Sequence, residues 1–169
     1  MSEPRERALD AFVSWFAGRG WEPFRFQRAA WRAHGEGQSG IVNVPTGAGK
    51  TYAAYGGPLS ELAAEAETNG GEIDGIRLLY VSPLRSVTRD IELALRAPIE
   101  ALRLQLTVET RTGDTASRVR ARQRRRLPNV LVTTPESLTL LLARDNASAL
   151  FSGLHSVIVD EWHELLGST

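Results

Sequence analysis

Residues Val44-Pro45-Thr46-Gly47-Ala48-Gly49-Lys50-Thr51 stand between a short apolar run and a long helix-forming stretch. Phosphate oxygens need backbone N–H donors that no side chain obstructs, and glycines give that access. A helix that follows such a loop turns its N-terminus towards the negative charge. In the pattern G-x-x-x-x-G-K-[ST] the lysine reaches the β- and γ-phosphates and the hydroxyl binds Mg²⁺. Those roles fall on Lys50 and Thr51, with Thr46, Gly47, Ala48 and Gly49 as the cradle. The pattern's first glycine is Val44 here, so a glycine-containing turn with an incidental lysine is the competing reading. The strand–loop–helix context weighs against it.

The second chemical feature is Asp160-Glu161, placed directly after the apolar run Val157-Ile158-Val159. Adjacent residues on a strand point to opposite faces, so the two carboxylates can hold different posts. Asp160 suits the Mg²⁺ shell, and Glu161 suits orienting and deprotonating an attacking water. Two acids after an apolar strand are also how many strands end in solvent. Paired with the phosphate loop, they point to hydrolysis of a nucleoside triphosphate.

The elements that must position these groups follow from periodicity. Ala8, Leu9, Phe12, Val13 and Phe16 are spaced as one helix face, and Gly18 and Gly20 end it. Further helices are expected over residues 24–34, 50–67, 87–97, 115–126 and 135–143. Short apolar runs at 41–44, 76–81, 104–109, 130–133 and 157–159 read as strands. Strands alternating with helices, each strand apolar on both faces, predict an α/β fold with a parallel sheet flanked by helices. Ligands of such sheets bind beyond the carboxyl ends of the strands, where every suggestive segment here falls.

The chain has 169 residues, 42% hydrophobic and 24% charged, enough for a core and unlike a disordered segment. No run approaches the roughly 18 apolar residues of a membrane span. The first ten residues lack the apolar stretch of a secretory signal. With no cysteine there are no disulfides, thiolate metal sites or thiol nucleophiles. A cytoplasmic location is the expectation. The formal net charge is zero, so no global field draws nucleic acid. Of the twenty basic residues Lys50 is the single lysine, a compact ammonium placed where a phosphate needs one.

Taken together these segments resemble the first RecA-like domain of a superfamily 2 helicase. PTGAGKT (45–51) is similar to motif I, which does not require a glycine at position 44, and DEWH (160–163) to a DExH motif II. SPLRS (82–86) resembles motif Ia and RTGDT (111–115) motif Ib. TPESL (134–138) resembles the next nucleic-acid-binding motif. Phe26-Gln27 with Ala30-Trp31 resembles the upstream glutamine motif. The order is that of the superfamily, over about residues 21–166. Within it the segments are most similar to the Lhr-like group, nearest the ligase-associated DExH-box DNA helicases.

The resemblance implies an ATP-driven motor that tracks single-stranded DNA, 3′ to 5′, in DNA repair, with ATP and Mg²⁺ as cofactors. RNA is an alternative track, and DNA ligase or repair proteins are implied partners. Gln27 would read the adenine edge, and His163 would couple the nucleotide site to the nucleic-acid side. Arg85, Thr112-Gly113 and Thr134-Pro135-Glu136 would hold backbone phosphates without reading bases. Thr134-Pro135-Glu136 is equally a good helix start. Trp21 and Phe24 could pack on the base, but core positions are the stronger expectation. The run 118–126 holds six arginines and no acid. It is read as a solvated helix face, with a supporting DNA contact as the alternative.

The expected domain layout is an N-terminal helix over 1–20 and a motor core over 21–169 that lacks motif III and the second RecA-like domain with its arginine finger. Three expectations follow. The strands at 41–44 and 157–160 should not pair. ATP·Mg²⁺ should bind weakly and turn over poorly. The runner-up function is a nucleotide-gated nucleic-acid-binding module without turnover. A small-molecule phosphotransferase is a third class, and the strand-end motifs argue against it.

Overall fold

The computed structural model describes residues 3–45 and 47–167, so the cradle residue Thr46 lies outside the described residues. It divides into two compact units, Met1–Glu72 with Ala97–Gln105, and Ile73–Arg96 with Leu106–Thr169.

The first unit is helical. Helices α1 (Glu3–Gly18) and α2 (Arg25–Gly35) both pack on α3 (Lys50–Thr68). Phe12 and Phe16 of α1, Trp31 of α2 and Tyr52 of α3 meet edge to face. Each such ring pair contributes about 0.5–1.5 kcal/mol beyond its buried area. Trp31 donates its indole N–H to the Tyr52 carbonyl at 2.9 Å, so its burial leaves no orphan donor. Burial also pushes the Tyr55 phenol far above its ordinary value. The close approach of the helices needs Gly56, because a Cβ there would stand 2.5 Å from the Trp31 Nε1.

The second unit is built on a four-stranded sheet, β1 (Leu78–Val81), β2 (Val108–Arg111), β3 (Val130–Thr133) and β4 (Ser156–Val159), in the order β2-β3-β1-β4. All its ladders are parallel. The central strands β1 and β3 are buried throughout, as their uninterrupted apolar sequences require. Helices α4 (Thr88–Ala101), α5 (Ser117–Gln123), α6 (Pro135–Leu142) and α7 (Ala147–Leu150) fill the connections, and α8 (Trp162–Leu166) follows β4. Ile76, Leu79, Val81, Leu127, Leu131, Leu141 and Leu150 form the core on one side of the sheet.

Asn129, 4% exposed, levels the beginning of the sheet. Its amide donates to the carbonyls of Ile73 and Gly75 ahead of β1. Its oxygen accepts from the Thr107 N–H and hydroxyl ahead of β2.

Two expected strands change. Ile41–Val44 is not a strand, and Ile41 is exposed. A strand exists only through ladder bonds, and this segment has no ladder partner among the described residues. The strand expected at 104–109 starts later, at Val108. The preceding helix α4 runs to Ala101 and stops with Arg103 in the left-handed region, where the Leu104 N–H bonds back to the Ile99 carbonyl.

Candidate functional site

In the first unit the phosphate loop has the backbone its glycines predict. Gly47 and Gly49 lie in the left-handed region at φ 81° and 85°. Gly49 stands at the N-terminus of α3, so Lys50 and Thr51 open that nineteen-residue helix. The loop is held from the side by Gln27, only 2% exposed. Its amide donates to the Gly49 carbonyl at 3.0 Å, and its oxygen accepts the Phe24 N–H at 2.9 Å. A Cβ at Gly49 would stand 2.7 Å from the Gln27 Nε2. A carboxamide has two N–H donors and two acceptor lone pairs. One of each is thus committed to the protein, and Gln27 ties α2 to the loop.

Phe24 is not core: it is 57% exposed and stacked on Phe26 at 5.7 Å. Trp21 is also largely exposed, although it touches the aromatic cluster and Arg19 lies over its ring.

In the second unit the ladder brings four segments level. The ends of the strands are in register, Arg111 opposite Thr133, Val81 opposite Thr133, and Val81 opposite Val159. The bonds continue one residue further, from Ser82 N–H to the Thr133 carbonyl and from Asp160 N–H to the Val81 carbonyl. Thr112, Thr134, Ser82 and Asp160 therefore share one edge.

Asp160 and Glu161 are half-buried there. The Tyr80 hydroxyl donates to Asp160 Oδ2 at 3.1 Å, and the Glu161 N–H donates to Oδ1 at 3.0 Å. Both carboxylate oxygens are thus oriented, each with a lone pair remaining. Glu161 is itself in the left-handed region (φ 44°). A non-glycine residue held there is locally strained, a feature common at functional sites. The strain comes from turning β4 directly into α8. His163 is exposed and lies 3.6 Å from the Glu161 carboxylate and 3.5 Å from that of Glu164.

Arg85 crosses to the loop after β2. It pairs with Asp114 at 3.5 Å and packs on Gly113, where an added Cβ would meet the guanidinium at 3.2 Å. Glu136, in the first turn of α6, is held below its ordinary value by its own backbone N–H, then by the Thr134 hydroxyl and Arg85. The edge thus assembles Arg85, Gly113, Thr134 and Glu136.

Thr112 differs from the expectation of open donors. Its N–H goes to the Thr115 hydroxyl at 2.9 Å, and its own hydroxyl accepts the Asp114 N–H at 3.2 Å. Gly113 and Asp114 are the exposed members of that turn.

Beneath this edge lies a groove of about 470 Å³ lined by Arg85, Glu92, Thr110, Thr112 and Asp114 among others. Glu92 is buried, accepts from Arg96 at 2.5 Å and from the Thr110 hydroxyl, and so pins α4 to β2. Neither Tyr80 nor Glu92 was marked by any pattern in the sequence. Both read as ordinary strand and helix residues until the ladder register places them.

Taken separately, the Asp160 carboxylate in the second unit and the Thr51 hydroxyl in the first are oxygen donors of the kind a hard cation takes. Among the described residues no group of three or more His, Cys, Asp or Glu forms a metal cage. Among the described residues no helix is long and apolar enough to cross a membrane.

A family model for the DEAD/DEAH box helicases matches residues 24–169. The chain is 38% identical over 139 residues to the ATP-dependent helicase Lhr-Core of Methanothermobacter thermautotrophicus, covering 76% of this chain and 16% of that one. Among solved structures, helicase Lhr of Mycobacterium smegmatis bound to ssDNA and AMP-PNP superposes with a TM-score of 0.73 at 35% identity, over 97% of this chain and 21% of that one. The DUF1998 helicase MrfA bound to DNA and AMPPNP superposes with a TM-score of 0.75 at 24% identity, over 97% and 22%, a likeness of fold. The chain therefore spans only a fifth or so of the length of such relatives, and within that span it belongs to the DEAD/DEAH box helicase family.

Proposed function

We propose that this chain is the nucleotide-binding portion of an ATP-dependent helicase or translocase that moves on single-stranded DNA. The observation that carries the reading is the shared edge of the sheet, where the Asp160-Glu161 pair and three segments suited to a phosphate backbone end at one level. A motor needs that adjacency, because hydrolysis must be felt by the groups that hold the track. The complex of M. smegmatis Lhr with ssDNA and AMP-PNP supports both ligands for its relative.

In this reading Lys50 neutralises the β- and γ-phosphates, and the N–H groups of Gly47, Ala48 and Gly49, with Thr46, cradle them. Thr51 and Asp160 would each offer an oxygen to Mg²⁺, which when bound would neutralise charge developing on the phosphates. Tyr80 fixes the Asp160 carboxylate. Glu161 orients and deprotonates the attacking water. Gln27 faces the adenine with its remaining donor and acceptor, and the exposed ring of Phe24 offers a stacking face. His163, beside Glu161, transmits the state of the nucleotide. Arg85, Gly113 and the Thr134-Pro135-Glu136 turn hold backbone phosphates, with Thr112 shaping the turn. A role in DNA repair, with ligase or repair partners, is the pathway we place it in.

The test is Lys50→Ala and Glu161→Gln in the chain and in the longer protein. Lys50→Ala should abolish nucleotide binding. Glu161→Gln should retain it and stop DNA-stimulated hydrolysis in the longer protein. Undiminished hydrolysis in Glu161→Gln would defeat the assignment. Absence of hydrolysis in the unsubstituted protein, with oligonucleotide binding that persists in Lys50→Ala but responds differently to nucleotide, would favour the nucleotide-gated nucleic-acid-binding module.

A further inference from the structure

Arg111, the last residue of β2, is 7% exposed, yet no carboxylate among the described residues pairs with it. Its side chain leaves the sheet on the face opposite Thr110, under α5. One terminal nitrogen donates to the Arg120 carbonyl at 3.3 Å and to the Gln123 oxygen at 3.4 Å. Its Nε is buried with no partner. The groups around it repeat its sign. Arg120 and Arg124 stand one turn apart on and just after α5. Asn146 donates to the Arg124 carbonyl at 3.1 Å and accepts from the Arg144 Nε at 3.1 Å, which brings a fourth guanidinium to the cluster. Burial, then Arg124, Arg120 and Arg144, press the Arg111 proton affinity below its ordinary value.

A buried cation among three others is destabilising unless something offsets it. The last carbonyls of α5 supply roughly half an elementary charge. Glu109, the nearest acid in the bonding network, is engaged by Arg122 and by the Gln123 amide. The arginine run is therefore not uniform. Arg122 and Arg126 pair with Glu109 and Asp74, whereas neither Arg120 nor Arg124 pairs with a carboxylate among the described residues, and Arg120 donates only to the Ser117 hydroxyl at 3.4 Å. Planar guanidinium forks left without an acid match the oxygens of a phosphate group.

We propose that Arg111, Arg120, Arg124 and Arg144 form a phosphate-binding subsite that takes a backbone phosphate of the nucleic-acid strand. The inference rests on the strand reading proposed above and extends it, since Arg111 leads directly into the Thr112-Gly113 turn. The subsite binds by charge and is indifferent to base sequence.

The experiment uses the full chain and a fluorescein-labelled oligothymidylate, with anisotropy titrations over a series of salt concentrations. Arg120→Ala/Arg124→Ala is compared with Arg118→Ala/Arg125→Ala, which removes the same charge outside the cluster, and with Arg85→Ala. Circular dichroism checks that each is folded. The cluster variant should weaken binding about tenfold and lower the salt slope by about one, with the control pair changing affinity less than about twofold. Equal losses in both pairs would reduce the cluster to diffuse charge and overturn the proposal. So would loss confined to Arg85→Ala, which leaves the strand reading standing.

If the wild-type chain binds no oligonucleotide, the strand reading fails on its own. Inorganic phosphate then decides the cluster. A phosphate-induced rise in Tm that Arg120→Ala/Arg124→Ala removes would keep the subsite with free phosphate as its source, and no rise would end it.

Discussion

The phosphate loop and the edge of the sheet are built by different means. The loop hangs between helices: its glycines take left-handed backbone, and Gln27 ties it to α2 by a side chain. The sheet edge is levelled by backbone ladders, so that Thr112, Thr134, Ser82 and Asp160 reach one height by register alone. A side-chain tie can be cut at one residue with a local result. A ladder moves as a unit, and a disturbance at its start is felt by every strand end.

The largest predicted effect follows from that difference. Asn129→Ala removes the clamp at the start of the sheet and leaves the Thr107 N–H and the Ile73 and Gly75 carbonyls without their partner. Stranded buried groups of this kind should lower the unfolding free energy by about 3 kcal/mol, read from the urea midpoint. Hydrogen exchange should quicken at Val81, Thr133 and Val159 alike. A change confined to residues next to Asn129 would show that the strands do not move together.

Gln27→Ala is the counterpart in the helical unit. It frees the Phe24 N–H and takes from the Gly49 carbonyl one of its two donors, the other being the Ala53 N–H, at a cost of about 1–2 kcal/mol, with faster exchange limited to residues 47–53. Nucleotide affinity should fall because the loop loses its tie even before any contact with the base. If Gln27 acted only on adenine, the loop's exchange without nucleotide would be unchanged.

What the sequence made legible follows the same division. Strand positions 130–133 and 157–159 and the helix starts at Lys50 and Pro135 are read from local pattern, because apolar runs and caps are local. The placement of SPLRS, RTGDT, TPESL and DEWH beyond strand ends also follows from the α/β pattern, whereas PTGAGKT follows no strand. Ile41–Val44 has the composition of a strand, but composition cannot supply a ladder partner. The strand expected from Leu104 starts late because Arg103 accepts a left-handed backbone that no pattern of residues announced. Tyr80, Glu92 and Arg111 act through neighbours distant in sequence, such as Asp160 eighty residues from Tyr80. Phe24, apolar and so expected inside, is exposed because α2 turns its buried face through Gln27 and Trp31.

A smaller effect tests how finely the edge is held. Tyr80→Phe keeps the buried ring and deletes the hydroxyl that fixes Asp160. A single bond to a carboxylate contributes about 1 kcal/mol, so Mg²⁺-dependent nucleotide affinity should fall about fivefold. Metal-free nucleotide binding and Tm should shift little, and a direct Mn²⁺ titration would separate the two. Equal losses with and without metal would mean that Tyr80 merely packs.

The smallest effect concerns Glu136, where ladder and side chain meet. Its carboxylate sits in the first turn of α6 and is held below its ordinary value of 4.5 by its backbone N–H, the Thr134 hydroxyl and Arg85. A carboxylate depressed on folding stabilises the folded chain above the unfolded value, and that contribution is lost as pH falls through the folded one. Because the side chain is exposed, solvent screens it, and Glu136→Gln should cost less than about 0.5 kcal/mol at neutral pH. The gap between variant and wild type should close as the pH is lowered below 4.5. A gap that persists in acid would assign the effect to packing, and the ladder beneath Thr134 would then owe nothing to the charge above it.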